Sequence, residues 1–179
     1  MQRIQIPYNQ LQIQALTLWH DQWLLLTSGD FASGDYNSMT VGWGSLGTMW
    51  RKPFAQVVVR PTRYTYEFMN RYPTFTLCAF PEKYHEHLAY LGSVSGRDTD
   101  KLKKSGLTPM AAPKIAAPAF AEAELIIECR KNYWQDFDHQ KFLDSGIEEL
   151  YAGNDYHRVY FGEIVNILAT QKYHKVDTA

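Results

Sequence analysis

Apolar and polar positions alternate through Leu11, Ile13 and Ala15 against Gln12 and Gln14, a period of two that predicts a half-buried strand over Leu11–Trp19. A second apolar run, Trp23–Thr27, predicts a partner strand, with Asp21-Gln22 as the hairpin between them. The Ser-Gly and Gly-Asp steps from Ser28 to Asn37 turn the chain, and another strand starts near Met39. Gly42, Gly44 and Gly47 interrupt it, as at a barrel bend or where a ligand or second backbone comes close. Phe54–Arg60, with Val57-Val-Val59 inside it, reads as a continuous buried strand. Thr62 or Thr65 is then placed to cap a short helix running to Arg71, with Tyr64, Phe68 and Met69 at helical spacing.

Thr74–Phe80 is the next apolar strand, ended by Pro81-Glu82, and His85–Leu91 predicts a helix broken at Gly92. Ser95–Lys101 is a polar turn leading into a short helix that stops at Gly106, and the proline- and alanine-rich stretch Thr108–Pro118 reads as a loop. Glu124–Cys129 is a strong strand run with Tyr133 and Trp134 at its far end, whereas Phe137–Leu150 fits helix and loop equally. His157–Leu168 makes a last long strand whose alternation is disturbed at Gly162-Glu163. About seven strands with short helices between them predict a mainly β fold, a closed antiparallel sheet carrying helical excursions and no internal repeat.

The chain has 179 residues, enough for one well-packed domain over residues 1–179, and 45% hydrophobic with 21% charged residues is the balance of a folded protein. A formal net charge of -1 removes the broad electrostatic case for nucleic acid, so any anion site must be local. Cys78 and Cys129 have no metal-ligand spacing and are expected as free buried thiols, which fits a reducing cytoplasm. The sequence holds no apolar run of membrane-spanning length and no signal-peptide core, so a soluble, cytoplasmic protein with no membrane partner is expected.

Three segments beside these strands share small hydroxyl residues, glycine and cations: Asn37–Trp43, Arg60–Thr65 and Ser95–Lys101. A phosphate attached to a flat ring needs that mixture, with amides and hydroxyls around the oxyanion, a cation near it and apolar walls for the ring. Arg60 and Arg63 flank Pro61 at a strand end, where guanidinium groups suit bidentate phosphate contacts; pairing with a carboxylate such as Glu67 is the plain alternative. Lys101 is either part of that site or a solvated helix charge. His85 and His87 lie two apart on a helix, on different faces, and are expected at the surface with no shared metal. His157 stands alone, without a nucleophile motif or a second histidine at metal spacing.

These motifs, Asn37-Ser-Met-Thr40 with Gly42-Trp43, Val58-Val-Arg-Pro-Thr-Arg-Tyr-Thr65, Ser95-Gly-Arg-Asp with Asp100-Lys101, and His157-Arg-Val-Tyr-Phe-Gly-Glu163, occur in an order that resembles the flavin reductase-like family of FMN-binding split barrels, flavoredoxin-type proteins included. The resemblance runs from about Ser28 to Ile167. It implies a six-stranded Greek-key split β-barrel and a homodimer with FMN held non-covalently near the interface. Asn37, Ser38, Met39 and Thr40 would lie along the ribityl chain and ring with Trp43 beside them. Arg60, Thr62, Arg63 and Thr65 would approach the phosphate, and Ser95, Gly96 and Lys101 would complete the cradle. His157 matches the place near a nicotinamide pocket. Thr76-Leu-Cys78 departs from the Val-Asn that commonly ends this strand, leaving Cys78 as either a redox thiol or a small buried residue. The implied function is an NAD(P)H-dependent flavin reductase that passes electrons from NADH, NADPH or a partner protein through FMN to a second acceptor. An electron carrier without NAD(P)H activity, or a binder of another planar ligand such as haem with His157 as axial group, are the alternatives.

Overall fold

The computed structural model describes residues 1–175, so the last four residues of the expected domain lie outside the described part. Its elements in chain order are β1 (Ile4–Gln5), α1 (Ala15–Thr17), β2 (Leu24–Asp30), β3 (Asp35–Val41), β4 (Gly44–Met49), β5 (Lys52–Val59), α2 (Tyr64–Arg71), β6 (Thr74–Ala79), α3 (His85–Ser93), α4 (Lys101–Lys104), β7 (Pro109–Met110), β8 (Ala119–Phe120), β9 (Leu125–Asp136), α5 (Ser145–Glu148) and β10 (Arg158–Ala169). The main sheet is antiparallel with the order β3-β2-β6-β9-β10-β5-β4, and β1 adds to β10, giving eight strands where six were expected. Within this sheet β6, β9 and β10 lie side by side in chain order, β7 and β8 pairing apart from it, while β5 crosses through α2 to β6 yet lies beside β10, which is Greek-key connectivity.

The two ends of this sheet, β3 and β4, are joined by Gly42 and Trp43 alone, so the sheet must curl until its ends meet. No ladder pairs β3 with β4 among the described residues, so the barrel is split rather than closed. What read as one strand interrupted by glycines is therefore two strands at opposite ends. Gly44 is fixed by packing: a Cβ there would lie 2.4 Å from both Gln56 O and Trp19 Cη2.

Runs that are apolar at every position are buried on both faces. In β2, Leu24 and Leu26 join the barrel core with Val57, Phe75 and Ile127, whereas Leu25 faces a second cluster with Cys78, Leu88, Leu91, Phe120 and Ile126. The second cluster seats α3 on the outside of the barrel, and α3 carries one wall of the site described below.

Several expectations fail for physical reasons. Leu11–Trp19 is not a strand: Leu11 makes one isolated bridge to His174, and the chain coils through α1 and a wide helical turn at Leu18–Gln22, burying Leu18 and Trp19. The Asp21-Gln22 hairpin is absent because there is no strand to pair. The turn between β2 and β3 is confined to residues 31–34, and α3 runs through Gly92. Thr62 and Thr65 do not cap α2; the cap position is Arg63, without a side-chain bond. Within Thr108–Pro118, Pro109 and Met110 pair with Phe120 and Ala119. Phe137–Leu150 contains short turns at His139–Lys141 and Ser145–Glu148. Among the described residues ten strands form, not about seven: Leu11–Trp19 drops out, β3 and β4 divide one expected strand, and β1, β7 and β8 carry too few residues to show a period. No helix among the described residues is long and apolar enough to cross a membrane.

Candidate functional site

Two hollows lie side by side where β3, the β5–α2 junction and the end of α3 meet. The smaller, about 80 Å³, is walled by residues 62–65, the last turn of α3 with residues 94–96, and Lys101. The larger, about 170 Å³, is walled by residues 39–43, Val58, Arg60, Arg63 and His157. Met39 and Arg63 line both, so the two hollows adjoin across these side chains and together make one candidate recess.

Local sequence explains the smaller hollow. β5 ends at Val59 just before Pro61, and α2 starts at Tyr64 with no side chain capping its first turn, so its opening residues Tyr64 and Thr65 border the hollow uncapped. Asn37 Nδ2 donates to Thr65 Oγ1 at 2.6 Å, tying β3 to that turn. Gly96 closes over the same amide: a Cβ there would stand 2.5 Å from Asn37 Oδ1 and 2.9 Å from Tyr64 Cδ1. Arg97 clamps the loop down, donating to Thr62 O at 3.0 Å and to Glu67 Oε1 at 2.6 Å, with its guanidinium over the Tyr64 ring.

Glu67 is thereby taken and pairs with neither Arg60 nor Arg63, but the plain alternative of a carboxylate partner holds for Arg60, which pairs with Asp155. Arg63 donates to Gly92 O at 3.0 Å and is in no ion pair among the described residues. Lys101 is not a solvated helix charge either. It is only 4% exposed, and its ammonium donates to Leu91 O at 2.8 Å and Val94 O at 3.0 Å, the carbonyls ending α3. Burial, and secondarily the Arg63 guanidinium, push Lys101 down to about 8. Two cations thus sit among the hydroxyls of Thr62, Thr65, Ser93 and Ser95 with no carboxylate to neutralise them. This is the electrostatics of an anion site.

In the larger hollow, Thr40 Oγ1 donates to Leu88 O, fixing β3 against α3. Trp43 is half exposed, its ring 5.1 Å from that of His157. His157 Nδ1 lies 2.7 Å from Tyr151 Oη, and burial, reinforced by Arg60 and then Arg63, pushes the imidazole down to about 4 against the opposing effect of Asp155. Arg60 lines this hollow but is already engaged: it holds both oxygens of Asp155 at 3.0 and 3.1 Å and Leu150 O at 2.8 Å. Thr62 Oγ1 also leans towards Asp155, at 3.4 Å.

Of the residues expected from the sequence, Met39, Thr40, Trp43, Arg60, Thr62, Arg63, Thr65, Ser95, Gly96, Lys101 and His157 line the recess. Asn37 supports it from behind. Ser38 lines neither hollow: its buried hydroxyl is paired with Thr27 Oγ1 at 2.6 Å. Arg60 departs from the phosphate-contact reading because Asp155 satisfies it. Tyr64, Gly92 and Ser93 were missed, although Ser93-Val-Ser95 next to a glycine was a readable signal. Tyr151 was also missed and has no local signal. Cys78 lines neither hollow; it is sealed in the second apolar cluster, and burial pushes its thiol up to about 12. His85 and His87 are half-buried rather than at the surface, His85 being stacked on Trp23 at 4.2 Å.

This sequence matches the family described as flavin reductase like domain over residues 21–175. The chain belongs to the flavin reductase-like family, and its fold is the family's split barrel. No curated protein matches the sequence. Among solved structures, it is similar to an FMN-binding domain of flavin reductases-like enzyme from Shewanella baltica OS155, with TM-score 0.68, 17% identity, and 99% of this chain and 85% of that one covered. It is also similar to flavoredoxin from Methanosarcina acetivorans, with TM-score 0.66, 23% identity and coverage of 97% and 78%. An FMN-binding protein from Thermus thermophilus with bound p-hydroxybenzaldehyde superimposes with TM-score 0.65, 17% identity and coverage of 86% and 76%.

Proposed function

We propose that the chain binds FMN non-covalently in this recess and serves as an oxidoreductase, taking electrons from NADH, NADPH or a reduced partner protein and passing them to a second acceptor. The observation that carries the reading is the pair of uncompensated cations, Arg63 and Lys101, in a hollow that adjoins a second one walled by Trp43 and Val58. The cationic hollow suits a phosphate and the second a flat ring, with Gly96 letting the loop pack against Asn37 and Tyr64 in the wall of the first. Bound FMN would supply hydride and one-electron chemistry. Arg63, Lys101 and the hydroxyls of Thr65 and Ser95, which accept from Asn37 and Arg97 and keep their own hydrogens free among the described residues, would hold the phosphate, and the backbone of residues 39–43 would border the ring.

Each hollow alone is smaller than the roughly 300 Å³ at which ligand pockets begin. A ligand spanning both would therefore remain open on its outer side, which supports a homodimer as the working form. Exposed Trp43, Trp50, Tyr133 and Trp134 offer apolar surface for a second copy, and light scattering at micromolar concentration tests it. The two free, buried cysteines accord with a cytoplasmic setting.

Fluorescence titration with FMN tests the central reading: quenching of the flavin at stoichiometric protein is expected, and no uptake in excess FMN overturns it. The likeness to flavoredoxin favours a second reading, an electron carrier without its own nicotinamide activity. Anaerobic NADH or NADPH that bleaches the bound flavin supports the reductase; bleaching only by a reduced protein supports the carrier.

A further inference from the structure

Tyr151 is 3% exposed, and its hydroxyl has His157 Nδ1 as its one hydrogen-bond partner among the described residues, 2.7 Å away. If Nδ1–H donated to this hydroxyl, the phenol's own hydrogen would be left buried without an acceptor. An unpaired buried donor is costly, whereas an oxygen with spare lone pairs is not. Donation from Tyr151 to Nδ1 removes that penalty. Because burial and the nearby guanidinium groups hold His157 down to about 4, the neutral ring must then carry its hydrogen on Nε2. The Arg60 guanidinium, 4.9 Å over the Tyr151 ring, acts in the same direction by making the phenol a better donor.

Nε2 has no hydrogen-bond partner among the described residues, and His157 lines the larger hollow. No carboxylate lines that hollow, and the Thr40 hydroxyl is committed to Leu88 O. With Arg60 held by Asp155 and Leu150 O, the side-chain donors still open there include the His157 Nε2 position and the remaining N–H groups of Arg63, with the flat, half-exposed Trp43 ring beside them.

We propose that Tyr151 is a positioning residue that fixes His157 as the Nε2–H tautomer, and that this N–H receives the carbonyl oxygen of a planar ligand lying against Trp43. The inference rests on the flavin reading only for the ligand's source: the carbonyl belongs to the flavin ring itself or to a second, carbonyl-bearing substrate.

Nitrogen-15 histidine NMR of the flavin-free protein at neutral pH reads the tautomer directly. A pyrrole-type Nε2 and pyridine-type Nδ1 are expected for His157, becoming a mixture in Tyr151→Phe; the opposite assignment in the wild type overturns the proposal whatever the flavin does. FMN-loaded wild type and His157→Phe are then titrated with p-hydroxybenzaldehyde, read by the flavin absorbance band. An about fivefold to tenfold loss of aldehyde affinity with FMN affinity retained assigns the carbonyl to a second substrate. A similar loss of FMN affinity itself assigns it to the ring. Unchanged affinity for both overturns the carbonyl contact. If wild type takes up no FMN, the flavin reading fails by itself, and the aldehyde is titrated into the flavin-free pair by tryptophan fluorescence. Weaker aldehyde binding by His157→Phe then supports the carbonyl contact, and equal binding by the pair overturns it.

Discussion

Raising the pH from about 7 to about 9.5 discharges Lys101 in the free protein, because burial and the neighbouring Arg63 bring it from 10.5 down to about 8. That drop corresponds to roughly 3 kcal/mol spent in keeping the ammonium charged at neutral pH. A phosphate beside Lys101 and Arg63 offsets the cost and draws the lysine back up, so the complex keeps a proton that the free protein has lost. FMN affinity should then fall above about pH 8, by up to tenfold per pH unit until the lysine titrates in the complex too. Riboflavin has the same ring and ribityl chain but no phosphate, so Lys101 stays where it was and riboflavin affinity lacks this fall. Titration of the ring is common to both ligands and cancels in the ratio of affinities. Fluorescence titrations at several pH values give that ratio. A ratio unchanged between about 7.5 and 9.5 refutes a phosphate at Lys101. Lys101→Met should abolish the pH dependence of the ratio. It also strips Leu91 O and Val94 O of a donor, at about 1 kcal/mol each, so its melting temperature is measured in parallel. The sign for stability is opposite: the unfolded chain binds more protons between about 8 and 10.5, so the wild-type contribution of this group rises with pH across that window and is missing from the variant.

Arg63→Ala should weaken FMN binding by about 1.5 to 3 kcal/mol, the range of a charge-assisted bond, whereas Arg60→Ala should weaken it less and mainly lower stability, because Arg60 holds Asp155 and Leu150 O; equal losses of affinity would return Arg60 to the phosphate cradle. Trp50 and Arg51 join β4 to β5 with φ of 52° and 61°, so Trp50→Asn with Arg51→Gly should stabilise the fold by about 1 to 2 kcal/mol, raising the melting temperature by roughly 2 to 8 °C in calorimetry; a lower melting temperature would show that the Trp50 contacts with Tyr133 and Phe161 outweigh the backbone strain. Both cysteines are fully buried with thiols pushed up, Cys78 to about 12, so neither should react with a thiol reagent at about pH 8 until the protein is unfolded; rapid labelling of the native protein would restore Cys78 as a redox candidate.

The parts of the fold that were legible in the sequence are those whose residues act locally. β2, β6 and the first half of β9 read as strands because both faces are buried and most positions are apolar or small, the buried Glu128 being satisfied by Asn166 and the Lys114 amide. The three polar segments were legible because hydroxyls, glycines and cations next to such strands have few structural uses. The hairpin at Trp50-Arg51 was hidden because it lacks the glycine or asparagine that left-handed turns favour. Leu11–Trp19 misled because alternation states which side is apolar but does not supply a neighbouring strand. The roles of Arg60 and Lys101 depend on partners that only the fold brings close: Asp155 lies 95 positions from Arg60, and Lys101 reaches back under the end of α3. Tyr151 comes from the stretch with the weakest period, where no spacing could announce it.

Arg60 fastens the excursion between β9 and β10 to the rim of a barrel whose own ladders do not need it. The strands on either side of that excursion are already paired with each other, so its two ends stay adjacent whatever their connection. Lengthening such a connection adds closure entropy only logarithmically, about 0.6 kcal/mol per doubling. The segment bearing Tyr151 and Asp155 is therefore an exchangeable cassette: its length and composition can change while the paired strands on either side of it stay as they are.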